Sequence, residues 1–160
     1  MCSSDLGDPV MYMEHKELWG LEGEVDPSVA VPLGKANRLR EGTDLTLVTW
    51  SRTVQAAREA AQAAQARGVS VDLLDLRTLW PWDRDAVLES AARTRRLLVV
   101  HEAVRVAGFG AEIAAEVAET LGVRVKRLGG ARIPVGYSKP LEDEARLTAE
   151  GILAAILDFK

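Results

Sequence analysis

Two histidines, His15 and His101, are the only imidazoles in the chain, and each adjoins a carboxylate, in Glu14-His15-Lys16 and in His101-Glu102. An imidazole beside an acid suits proton transfer near neutral pH, so both pairs are candidates for chemistry. His101-Glu102 directly follows the apolar run Arg96-Leu97-Leu98-Val99-Val100, and open α/β sheets gather ligands or partners at the carboxyl ends of such strands. A lone histidine there is more often a hydrogen-bonded structural or interface residue. Glu14-His15-Lys16 reads in the same way, as a solvated loop or an intersubunit salt-bridging one. Arg77 could clamp a carboxylate with its planar fork or brace its own loop through main-chain carbonyls. Trp80-Pro81-Trp82 is the densest aromatic cluster and reads as core filler or as an interface anchor.

Other chemistries lack their residues. There is no Gly-x-Ser-x-Gly elbow, and the single cysteine, Cys2, stands apart from both histidines, so no nucleophilic triad can be assembled. No His-x-x-x-His or Cys-x-x-Cys pair provides zinc ligands, and no Gly-x-x-x-x-Gly-Lys-Ser/Thr cradle is present. Gly108-Phe109-Gly110-Ala111-Glu112-Ile113 has two of the three glycines of a dinucleotide fingerprint but stands too far from the preceding strand. Its glycines read instead as permitting a helix to start close against the sheet, with Glu112 at the positive end of the helix dipole.

The elements that must position these residues follow from length and pattern. At 160 residues, with 20 Lys+Arg against 24 Asp+Glu and a net charge of −4, the chain is one modestly acidic domain. Without a basic run it has no electrostatic footprint for nucleic acid or anionic lipid. No apolar run approaches the roughly 20 residues of a bilayer span, no signal peptide is evident, and a lone cysteine suits a cytoplasmic protein. Residues 1–7 form a polar leader that runs abruptly into strand-like Pro9 to Met13, as if the chain began partway through something larger. Residues 17–34 carry Gly20, Gly23, Pro27, Pro32 and Gly34, which forbid a long helix and suggest a surface linker.

Beyond the linker, strands and helices alternate. Leu45–Trp50 is β-rich; Thr53–Arg67 is a helix with Val54, Ala57, Ala61 and Ala64 on one face; Gly68 closes it, and Val69–Leu76 is the next strand. Asp83 can cap a helix through Val87 and Ala91, Arg96–Val100 is a strand covered on both faces, and Gly110–Leu121 is amphipathic. Val123–Leu128 alternates charge with aliphatic residues and belongs near a sheet edge. Leu141–Phe159 reads as one closing helix, with Ile152, Ala155, Ile156 and Phe159 on its buried side. The alternation predicts a three-layer α/β/α sandwich.

The succession of motifs resembles a known family. Pro9-Val10 with Glu14-His15-Lys16, Pro32-Leu33-Gly34-Lys35-Ala36, Glu41-Gly42-Thr43-Asp44-Leu45, Asp75-Leu76-Arg77-Thr78-Leu79 with Pro81 and Asp83, His101-Glu102-Ala103 and Gly108-Phe109-Gly110-Ala111-Glu112-Ile113 are similar, in unbroken order, to the carboxyl-terminal half of the β subunit of 2-oxo acid dehydrogenase E1 components. The resemblance implies a transketolase C-terminal fold over residues 35–160, with a mostly parallel five-stranded sheet containing one antiparallel strand. Residues 8–34 would then be a strand and linker from an upstream half. It implies an α2β2 enzyme using thiamine diphosphate and magnesium. Its partners would be an E1 α subunit, a second β subunit and the subunit-binding domain of an E2 acyltransferase. The diphosphate-binding Gly-Asp-Gly of that family is missing here and its β glutamate would lie upstream, so the expectation is that this chain binds no cofactor and has no catalytic residue of its own. It would serve assembly and E2 docking, and self-associate when isolated. Glu14, His15, Lys16, Trp80, Trp82, His101, Glu102 and Phe159 are the candidate interface residues. A free-standing interaction module of the same fold is the alternative.

Overall fold

A computed structural model describes residues 9, 13–24, 26 and 28–159. The leader, most of the strand expected at 9–13 and Lys160 lie outside the described residues. After a 3₁₀ turn at Lys16–Leu18 come strands β1 (Asn37–Arg40) and β2 (Leu45–Thr49), helix α1 (Thr53–Gln65), β3 (Val71–Asp75), α2 (Arg84–Thr94), β4 (Arg96–Val104), α3 (Gly110–Leu121), β5 (Arg124–Gly130), α4 (Lys139–Ala145) and α5 (Ala149–Asp158). The sheet order is β1-β3-β2-β4-β5; β1 runs antiparallel to β3, and the other pairings are parallel.

Alternation along the strands builds both cores. Leu45 and Leu47, Val71 and Leu73, and Leu98 and Val100 face α1 and α5, where Ala57, Ala61, Ala64, Ile152 and Ile156 meet them. The small residues of α1 let its backbone lie near the sheet. Val48, Leu74, Leu97 and Val99 point to the other face, against Val87 and Ala91 of α2 and Ile113 and Val117 of α3. The expected sandwich is therefore present, its buried strands apolar on both faces as parallel sheets require.

The second face also holds a buried polar pin. Asp72 of β3 is fully buried; its Oδ2 accepts from Ser90 and from Arg93, each at 2.5 Å, and Arg38 of β1 stands 3.4 Å from Oδ1. The Thr46 hydroxyl joins the same net, 2.6 Å from that of Ser90 and 2.7 Å from that of Thr94. Strands β2 and β3 thus share one set of hydrogen bonds with α2, and Arg38 of β1 adds an ion pair to it, which together fix how that helix sits on the sheet.

Several boundaries differ from the sequence reading. The sequence reading assigns no element to Asn37–Arg40, where only Leu39 is apolar; it forms the antiparallel edge strand, irregular between Arg38 and Arg40. β4 continues past Val100 to Val104, so His101 and Glu102 lie inside the strand, where its pairing with β5 shifts between His101 and Val104. β5 takes in Gly129-Gly130 and is an edge strand, as its charges suggested. The closing helix is two helices. Arg146 is extended, and Thr148 restarts the chain by accepting the Gly151 N–H at 3.2 Å. Asp83 caps α2 as read, accepting from Ala86 N–H, and Gly68 after α1 has φ +75°.

Removing the Asp72 carboxylate leaves two guanidinium groups facing a polar pocket. Asp72→Leu is expected to cost about 3 kcal/mol in urea unfolding, and Asp72→Asn less, because the amide keeps one acceptor. A loss below about 1 kcal/mol for Asp72→Leu would show that the pin carries little.

Candidate functional site at the carboxyl edge of the sheet

From β2 the chain leaves through α1 on one face to reach β3, and from β4 through α3 on the other to reach β5. The crevice between the carboxyl ends of β2 and β4 is therefore the topological switch point, where sheets of this kind hold ligands. Here the chain's own rings fill it. Trp50, directly after β2, stacks on His101 of β4 with centroids 5.2 Å apart and planes 16° from parallel, and Phe109 meets Trp50 edge-on at 6.3 Å.

The His101 ring is fully buried, and glycines make its space. A Cβ at Gly110 would stand 2.5 Å from His101 Cδ2, one at Gly108 2.6 Å from Cε1, and one at Gly129 3.0 Å from Cε1. The Gly108-Phe109-Gly110 motif accordingly permits α3 to start against the imidazole, and the room a diphosphate would need is taken by that ring. No group of three His, Cys, Asp or Glu residues among the described ones could hold a metal ion. The described residues of this crevice do not fit a magnesium-bound diphosphate. Neither ring nitrogen of His101 has a hydrogen-bond partner among the described residues. Burial pushes its pKa below the usual histidine value; the Arg127 charge acts the same way and the main chain of Ala103 opposes it. The buried imidazole fills the crevice and presents neither ring nitrogen to solvent.

Glu102, the next residue, turns outward and meets the other histidine. His15 Nε2 lies 2.9 Å from Glu102 Oε2, while His15 Nδ1 accepts the Glu17 N–H at 3.2 Å. With Nδ1 accepting, the proton sits on Nε2 and is donated to the carboxylate. Arg52, at the start of α1, bridges Glu102 (3.3 Å) and Glu17, and Arg146 joins Glu17 (2.6 Å) to Glu142 (2.5 Å). Arg52, hydrogen-bonded to the Glu17 carboxyl, holds it below the usual carboxylate range, and Arg146 adds to this. An open groove of about 620 Å³ runs alongside, with His15, Leu18 and Trp19 on one wall and Trp50, Ser51 and Arg77 on the other.

Of the residues singled out from sequence, the structure unites His15 with Glu102. Glu14 lines the groove, and Lys16 is exposed in the 3₁₀ turn. The tryptophan pair divides: Trp80 is 84% exposed beside Gly108 and Phe109, whereas Trp82 packs into the α2–α3 core. The Phe159 ring is buried against the α1–α5 core, with the Arg124 guanidinium 5.0 Å above it. Arg77 neither braces its loop through carbonyls nor clamps a carboxylate among the described residues. Its backbone is left-handed (φ +59°) and its N–H bonds Asp75 Oδ1 at 3.1 Å. Trp50, Arg52, Glu17 and Arg146 were missed, although Trp50 could have been flagged by its position at a strand's carboxyl end.

Because the folded chain keeps His101 neutral and the unfolded chain does not, stability falls as pH drops below about 6.5, and goes on falling until the depressed folded value is reached. Thermal unfolding from about pH 7.5 to 5.5 is expected to show this loss. His101→Asn should flatten it, while His15→Gln, which leaves the buried ring in place, should keep it; an unchanged slope in His101→Asn would refute the assignment.

Comparison with known proteins agrees with this architecture. Residues 34–152 match the family described as transketolase, C-terminal domain. The chain is 41% identical over 153 residues to the β subunit of acetoin:2,6-dichlorophenolindophenol oxidoreductase of Cupriavidus necator, covering 92% of this chain and 45% of that one. It is 34% identical over 157 residues to the mitochondrial pyruvate dehydrogenase E1 component subunit beta of Dictyostelium discoideum, covering 92% and 44%. The chain thus spans under half the length of these relatives. A split-gene transketolase, solved as an inactive β4 tetramer, superposes with a TM-score of 0.77 at 28% identity, over 88% of this chain and 46% of that one. Profile match, sheet order and solved relative agree, and the chain is a member of the transketolase C-terminal domain family.

Proposed function

We propose that this chain supplies the carboxyl-terminal half of an E1 β subunit in a cytoplasmic 2-oxo acid dehydrogenase complex. Its task there is assembly: pairing with a second β subunit and an α subunit, and docking the subunit-binding domain of E2. The oxidative decarboxylation, with thiamine diphosphate and magnesium, belongs to the α subunit and the amino-terminal half of β. The observation that carries this reading is the plugged switch point. A domain of this fold that fills its ligand crevice with Trp50 and His101 is suited to scaffolding, and its chemistry must then come from elsewhere. The likeness to β subunits, over about half of their length, supports the same reading.

Exposed apolar side chains favour association. Trp19, Trp80, Val106, Ile133, Val135 and Tyr137 are all more than half exposed, and side chains of this kind are commonly covered by a partner. The related β4 tetramer supports self-association of isolated β chains. Relatives named for acetoin and for pyruvate leave the substrate open, as expected if the substrate pocket lies outside this half.

Two outcomes follow. The chain alone should oxidise neither pyruvate, branched-chain 2-oxo acids nor acetoin in a dichlorophenolindophenol assay, and a matching α subunit with the β amino-terminal half should restore turnover; unaided turnover would overturn the reading. In sedimentation at micromolar concentration the isolated chain should run as dimers or larger, and a strictly monomeric profile would count against the β–β role.

A further inference from the structure

The segment from Met13 to Leu21 crosses the carboxyl edge of the sheet without burying one of its residues. Its turn closes on itself, with the Leu18 N–H on His15 O (2.9 Å), the Trp19 N–H on Lys16 O (3.2 Å) and the Leu21 N–H on Leu18 O (3.1 Å). Among the described residues no main-chain hydrogen bond ties it to the body of the domain. Charge does so instead. Glu17 is gripped by Arg52 of α1 and by Arg146 after α4, and His15 donates to Glu102 of β4. The partners come from three separate elements, and Glu17 lies between two guanidinium groups that would otherwise repel each other.

We propose that residues 13–21 form an ion-pair strap with Glu17 as its latch, closed over the carboxyl edge at low ionic strength and opened when its charges are screened. Partly exposed pairs hold weakly and are screened by salt, and a segment with few buried contacts opens at far lower free energy than the sheet beneath it. The strap carries His15, Leu18 and Trp19, one wall of the 620 Å³ groove, and Trp50 and Arg77 stand on the other. The groove is therefore a property of the closed strap. Opening dissolves it and leaves Arg52, Glu102 and the edge of Trp50 to solvent.

Amide hydrogen exchange on the full chain tests this. Raising sodium chloride from about 20 to about 500 mM should speed exchange at Leu18, Trp19 and Leu21 about tenfold, while β2 and β4 amides stay unchanged. Glu17→Gln should give the same acceleration at low salt. Lys126→Gln, which removes a comparable exposed pair with Asp158 (2.6 Å), should not. Protection at 18–21 that responds neither to salt nor to Glu17→Gln would overturn the proposal. So would loss of that protection only together with the sheet, because the segment would then be part of the cooperative unit.

Discussion

The carboxyl edge of this domain is organised by one steric constraint: an imidazole ring has to fit between an indole and the start of a helix. His101 reaches that space only because residues 108, 110 and 129 lack a Cβ, any of which would approach the ring to 3.0 Å or less. Interiors close-pack, so a single methyl at Gly110 would push either the ring or α3 away from the sheet. The ring also sets the direction of its neighbour. With His101 turned inward, alternation along β4 turns Glu102 outward, where Arg52 and His15 find it. One buried histidine thus shuts the crevice and positions the acid at the centre of the surface charge network.

The two faces of the sheet are held by different means. The α1–α5 face is almost wholly aliphatic, and its stability comes from removing apolar surface from water. The α2–α3 face combines the same aliphatic burial with the Asp72–Ser90–Thr46 net, which costs desolvation and returns a defined helix position. That net keeps the outer surface of α2 at a fixed place relative to the sheet.

Much of the fold was legible because its signals are local and periodic. The alanine stripe of α1, the uninterrupted run of β4 and the Asp83 cap each depend on neighbours in sequence, and each appears where the pattern put it. β1 was not legible, since an edge strand with Leu39 as its one apolar residue has no apolar alternation and is defined by its pairing with β3. The break at Arg146 was hidden by a continuous helical pattern that Thr148 interrupts with a side-chain cap. At the site, His101, Glu102 and the glycines were visible as motifs. The Trp50 stack, and a charge network that joins His15 to residues 87 positions away, exist only once the chain has folded.

On the proposed function, the reacting groups lie outside this domain. Calorimetric titration of thiamine diphosphate with magnesium is the most direct test, performed first on the folded chain alone and then with the α subunit and the β amino-terminal half added. The account predicts no saturable heat from the chain alone and saturable binding by the assembled protein. Saturable binding by the chain alone would contradict it.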